Sequence, residues 1–142
     1  MEKIPSFLKD HDLITPGFYV STEDKDLTTY DLRFFYPNSG RFMSYAAIHS
    51  IEHIVATVLR NNRLKEDVVY FGPMGCRTGF YLIMRDTPPA KALQYFIECA
   101  QTALELNEVP GSDKKSCGNY LEHNLSAAKK HLFAYLKGLK KH

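Results

Sequence analysis

His49, Glu52 and His53 are the residues from which chemistry is most readily built. They lie in the stretch Ala46–Arg63, which reads as one amphipathic helix: Ile48, Ile51, Val55, Val58 and Leu59 recur at helical spacing and form its buried stripe. Residues four apart share a helix face, so both imidazoles can reach one ion. Glu52 stands one residue before the second histidine. His-x-x-Glu-His inverts the common zinc-protease motif, and two histidines with an adjacent acid suit metal-assisted proton transfer. Without a third ligand, the same residues are a polar face on a core helix.

A catalytic metal takes three protein ligands and keeps one open position. The candidates for the third are Cys76, Cys99, Cys117 and the carboxylates; Cys117, beside Gly118 in a loop, would give a His, His, Cys set suited to zinc or iron(II), with a buried structural cysteine as the plain alternative. Cys76 lies among Gly72, Gly75 and Gly79 in Gly72-Pro73-Met74-Gly75-Cys76-Arg77-Thr78-Gly79. Glycines there suggest unusual backbone angles and exposed amides; these and the neighbouring Arg77 would favour a thiolate. Cys99 falls on an apolar helical stripe and reads as filler. Arg33 and Arg60 are candidate substrate ligands, each with an ordinary ion pair as the plain alternative. His123 reads as a capping or packing residue, and His131 and His142 as solvent-exposed.

The elements around these residues follow from pattern. Pro16–Ser21 reads as a strand and Thr22–Asp26 as a turn. Thr28–Tyr36 alternates as a strand, with Tyr30, Leu32, Phe34 and Tyr36 toward a core and Asp31 and Arg33 opposite. Val68–Phe71 and Phe80–Met84 flank the Cys76 loop as a hairpin-like pair. Thr87 is the expected N-cap of a helix carrying Ala92, Leu93, Phe96, Ile97, Ala100 and Leu104. Ser126 is the expected cap of a last helix, Ala127–Lys141. Strands joined without crossover helices imply an α+β fold: an antiparallel sheet with helices packed on one face. With nine tyrosines and nine phenylalanines, the sheet's other side suits a homodimer interface.

Composition narrows the function classes. A chain of 142 residues is expected to be one domain, 1–142. Eighteen basic against 16 acidic residues give no basic field, which argues against a nucleic-acid partner. There is no membrane-length apolar run and no signal-peptide pattern, so a cytoplasmic protein is expected. Three widely spaced cysteines point away from disulfides.

Several segments in register resemble the S-ribosylhomocysteine lyase (LuxS) family: Ser6-Phe7 with Asp10-His11, Asp31-Leu32-Arg33-Phe34 with Pro37-Asn38, His49-Ser50-Ile51-Glu52-His53, Pro73–Gly79, and Cys117-Gly118 with His123 and Leu125. The resemblance implies metal ligands at His49, His53 and Cys117, holding Fe2+ with Zn2+ or Co2+ as substitutes. It implies an acid–base pair of Cys76 and Glu52, and substrate contacts from Ser6, His11 and Arg33. It further implies a homodimer with shared active sites, the N-terminal segment coming from the partner subunit. The implied reaction splits S-ribosylhomocysteine into homocysteine and 4,5-dihydroxypentane-2,3-dione, precursor of a quorum-sensing autoinducer, by carbonyl migration and β-elimination. The chain departs from the family's pattern at Tyr70-Phe71-Gly72 and at Ser21. The competing readings are an inverse-motif zinc hydrolase or peptidase, which leaves Cys76 and Cys117 without work, and a metal-binding protein without turnover.

Overall fold

Two antiparallel hairpins meet to make the sheet. In the computed structural model, which describes residues 1–4 and 8–140, β1 (Gly17–Asp24) pairs with β2 (Leu27–Arg33), and β3 (Val68–Pro73) with β4 (Gly79–Arg85). The hairpins join through β2 and β4, giving the order β1-β2-β4-β3. The first hairpin closes at Asp24↔Leu27, with Lys25 in the left-handed region at φ 58°. β1 therefore runs to Asp24, through most of the segment expected to be a turn.

At the start of β4, Gly79 lies opposite Arg33. A Cβ there would collide with the Leu32 carbonyl oxygen, so glycine is what allows the two strands to approach. This pairing brings Arg33 beside the turn that carries Cys76.

Three helices cover one face of the sheet. α1 spans Tyr45–Leu59, with Ser44 Oγ accepting from the Ala47 N–H at 3.1 Å. It ends before Arg63 because Asn61 turns its side-chain amide back onto the Thr57 carbonyl, in competition with further helix. α2 spans Pro89–Ala103 and starts from Pro88 with no side-chain cap. The expected cap, Thr87, is buried instead, its hydroxyl donating to the Arg85 carbonyl. α3 spans Leu125–Leu139 and is capped by Asn124 rather than Ser126, so it begins two residues before the expected Ala127.

The core lies between these layers. Tyr30, Leu32, Phe80, Leu82 and Met84 of the sheet meet Ile51, Ile54 and Val55 of α1, Tyr95, Phe96 and Cys99 of α2, and Leu132 and Tyr135 of α3. Phe34 stacks on Tyr135 at 4.0 Å and Phe71 on Phe80 at 5.0 Å, pairs worth about 1 kcal/mol each beyond their burial. The Tyr135 and Tyr95 hydroxyls donate to the carbonyls of Gly17 and Leu59, and burial pushes both phenol pKa values up.

Among the described residues the other face of the sheet carries no helix. Tyr19 and Tyr70 are exposed there, each lying over a glycine two residues away, Gly17 and Gly72. Asp31 and Arg33 project to this side yet are buried, contrary to a simple polar face. Tyr36 is exposed rather than in the core.

Candidate metal centre

A cluster of side chains able to hold a metal ion is built from α1 and the long connection that returns from α2 to α3. Four side chains, His49, His53, Cys117 and His123, offer ligand atoms that all lie within 4.8 Å of one another. α1 supplies the first two histidines four residues apart. The connection folds back over them: the Pro110 carbonyl accepts from His53 Nδ1–H at 2.8 Å and the Glu122 carbonyl from His49 Nδ1–H at 2.9 Å. A carbonyl only accepts, so both rings carry their proton on Nδ1 and present an Nε2 lone pair. Second partners of this kind orient metal-binding histidines.

Cys117 is held by the turn before it. Asp113 accepts from the Ser116 and Cys117 N–H groups through its carbonyl, and through Oδ1 from Ser116. The Ser116 contacts hold the Asp113 carboxyl below its ordinary pKa. Cys117 is buried, and its Sγ lies 3.4 Å from His49 Nε2. Tetrahedral bonds of about 2.0 Å to nitrogen and about 2.3 Å to sulfur put two such ligands about 3.5 Å apart, so this donor pair fits a divalent ion without rearrangement. The rings of His49 and His53 stand at 85° with centroids 4.7 Å apart.

His123 is a member that the sequence reading assigned to capping or packing. It stacks on His49 at 4.0 Å, and its Nε2 is 3.7 Å from Cys117 Sγ. Burial, then the neighbouring His49 and His53, push its pKa down. The signal was its spacing: six residues after Cys117, immediately before the Asn124 cap.

Cys76 belongs to a second group. It is exposed at the tip of the β3–β4 turn, where Met74 N–H donates to Gly79 O and Arg77 N–H to Met74 O. The left-handed residue of this turn is Arg77, φ 63°, and none of the three glycines. Arg77 does not serve the thiol: its guanidinium lies over Phe42 and Tyr45, 4.3 and 4.2 Å from their ring centroids. Arg33 does. Its fork is gripped by Asp31, Nε to Oδ1 at 3.1 Å and Nη2 to Oδ2 at 2.7 Å. Nη1 then donates to Thr78 Oγ1 at 2.9 Å and reaches Cys76 Sγ at 3.9 Å, while Thr78 Oγ1 lies 3.0 Å from the sulfur. Burial works against the Arg33 charge, but its hydrogen bond and ion pair with Asp31 outweigh this and raise its pKa.

The remaining candidates fall as follows. His11 lines a cavity with Cys76, Thr78, Pro37, Asn38 and Phe42, and none of the four cluster residues lines it. Glu52 is half-buried on α1 beside His53. Arg60 caps the end of α1 and donates to the Val68 and Val69 carbonyls, which places it in neither group. Ser6 and His142 lie outside the described residues. His131 is half-buried against Phe35, not solvent-exposed. Cys99 is buried in the core, as expected of filler. Among the described residues no helix is long and apolar enough to cross a membrane.

Comparison with known proteins bears on the same residues. The family model described as S-Ribosylhomocysteinase (LuxS) matches residues 4–142. The S-ribosylhomocysteine lyase of Borreliella afzelii is 47% identical over 144 aligned positions, covering 96% of this chain and 92% of that protein. That of Finegoldia magna is 44% identical, covering 96% and 90%. That of Phocaeicola vulgatus is 40% identical, covering 100% and 92%.

Proposed function

The chain belongs to the S-ribosylhomocysteinase (LuxS) family, and from that membership we infer that it is a metal-dependent lyase that splits S-ribosylhomocysteine into homocysteine and 4,5-dihydroxypentane-2,3-dione, the precursor of a quorum-sensing autoinducer. The observation that carries the chemistry is the convergence of His49, His53, Cys117 and His123 within 4.8 Å. His49, His53 and Cys117 are the proposed ligands, and iron(II) the proposed metal, with zinc or cobalt able to replace it. The whole chain, 1–142, is proposed as one lyase domain.

The bound ion would supply Lewis acidity to a sugar carbonyl and its neighbouring hydroxyl. The protein's own part is to move protons. Carbonyl migration requires a proton to leave one carbon and return to the next; Cys76 is proposed for this work, with Arg33 and Thr78 setting positive charge and hydrogen-bonding groups at its sulfur. Glu52 is proposed to assist that exchange. Once the carbonyl stands two carbons from the thioether, Glu52 removes the intervening α-proton; the electron pair forms the new C=C bond and the C–S bond breaks. His11 and Ser6 are proposed to line the substrate. Arg60 is left out of this set because its guanidinium is bound to two backbone carbonyls.

We further propose a homodimer with shared active sites. Two observations support it: the sheet face that carries no helix among the described residues exposes Tyr19 and Tyr70, and the Cys76 cavity is lined by His11 but by none of His49, His53, Cys117 and His123. A second chain would bring one group against the other. The three free cysteines suit a reducing compartment such as the cytoplasm.

The test is thiol release from S-ribosylhomocysteine before and after chelation. The proposal requires loss of release on chelation and recovery with ferrous ion. Cleavage of a peptide without thiol release would favour the inverse-motif hydrolase instead.

A further inference from the structure

Four side chains converge at the cluster, but their hydrogen bonds divide them. His49 and His53 have Nδ1–H committed to carbonyls, so each Nε2 presents a lone pair. His123 has a different partner. Its Nδ1 lies 3.0 Å from Ser50 Oγ, and Ser50 Oγ already accepts the Asn124 N–H at 2.9 Å. Ser50 is fully buried, so its own hydroxyl hydrogen needs an acceptor. Among the described residues the acceptor that its geometry provides is His123 Nδ1. A neutral imidazole that accepts at Nδ1 carries its proton on Nε2. That N–H faces Cys117 Sγ at 3.7 Å.

Ring geometry shows that His49 and His123 do not both aim at one ion, since His53 crosses His49 at 85° and His123 at 75° while those two stack, and the tautomers decide which of the two is the ligand. The planes of His49 and His53 cross at 85°, which lets two in-plane lone pairs converge on one ion. The planes of His49 and His123 are inclined by only 22° at 4.0 Å. Two rings stacked this way have nearly parallel planes, and an ion in the plane of one stands out of the plane of the other.

We infer that His123 is not a fourth metal ligand but a hydrogen-bond donor to the Cys117 sulfur, held in its Nε2–H tautomer by Ser50. This rests on the metal reading of the cluster and sorts its members into three ligands and one positioning residue. The consequence is twofold. The fourth coordination position stays open to substrate, as a catalytic site needs. An N–H on a metal-bound thiolate also withdraws electron density from it, which leaves the ion a stronger Lewis acid.

The test reads tautomers directly, in long-range proton–nitrogen correlation spectra of the nitrogen-labelled full chain with and without zinc. The expected result is a zinc-induced shift at Nε2 of His49 and His53, while His123 keeps its proton on Nε2 and shows no coordination shift. Zinc coordination at Nε2 of His123 alongside the other two would overturn the inference alone. Absence of any zinc-induced shift at all three histidines would overturn the metal reading and the inference with it. A second readout uses cobalt-loaded protein: His123→Ala should retain one cobalt per chain and move the sulfur-to-cobalt charge-transfer band to lower energy. A variant that keeps cobalt with this band unmoved would contradict the hydrogen bond. Ser50→Ala, which removes the hydroxyl donor, should shift His123 toward the Nδ1–H tautomer; an unchanged tautomer would contradict the role given to Ser50.

Discussion

Replacing Asp31 by alanine should separate the structural and chemical roles of the Arg33 fork. The pair is almost fully enclosed, with side-chain exposures of 2% for Arg33 and 6% for Asp31, and it is joined by two hydrogen bonds of 3.1 and 2.7 Å. Removing one member of a buried pair leaves the other charge uncompensated, at a cost of about 3–5 kcal/mol. A chain of 142 residues has an unfolding entropy of about 0.3 kcal/mol per kelvin, so the melting temperature should fall by about 10–17 °C. Replacing both residues, as in Asp31→Leu with Arg33→Met, removes both charges and should recover most of that loss. It should not recover activity, because Arg33 Nη1 would no longer reach Thr78 and Cys76. The assay is thermal unfolding of both variants beside thiol release, with metal content measured on each sample. An Asp31→Ala protein that melts within about 3 °C of wild type would refute the burial argument. A stable double variant with full turnover would refute the role given to Arg33.

Three other perturbations have defined outcomes. Gly79→Ala places a Cβ against the Leu32 carbonyl oxygen and 3.1 Å from Arg33 Cα, so β2 and β4 must part; a loss of about 3 kcal/mol or more in urea unfolding is expected, and an unchanged midpoint would show that the strands yield freely. The His131 imidazole is harder to protonate folded than unfolded, because of burial, then Lys130 and Arg41. It is neutral in both states well above its ordinary pKa of about 6.5, and below that value the unfolded chain takes up the proton first, so stability falls with pH. His131→Gln should therefore lose less stability than wild type between about pH 7.5 and about pH 5, whereas parallel curves would assign the acid loss elsewhere. Asn124→Ala removes the α3 cap and should cost about 1 kcal/mol in chemical denaturation; a serine at that position should restore most of it, and failure to do so would point to a role beyond capping.

The sequence reading succeeded where one periodicity or one spacing decides the outcome. The stripe Ile48, Ile51, Val55, Val58 and Leu59 is buried, and the strand alternation put Tyr30, Leu32 and Phe34 in the core. His49 and His53 share a face because helix geometry requires it. It failed where a residue's role is set by a distant partner. His123 joins the cluster because Ser50, 73 residues earlier, holds its ring. Arg33 rather than the adjacent Arg77 attends Cys76, since strand pairing places Arg33 opposite Gly79 while two aromatic rings hold Arg77 away. Local pattern does not decide the helix caps: Asn124 and Pro88 are as compatible with a first turn as Ser126 and Thr87, and the tertiary bond from Asn124 N–H to Ser50 selects the earlier start of α3.

Metal-dependent lyase chemistry with Cys76 as the proton carrier at carbon is tested most directly by thiol release from S-ribosylhomocysteine. The protein is purified anaerobically, metal content is read on the same sample, and Cys76→Ala is run alongside. Wild-type protein should release thiol, and a Cys76→Ala variant that holds the same metal should release none. Full turnover in the metal-loaded variant, or no release from metal-loaded wild type, would contradict that chemistry.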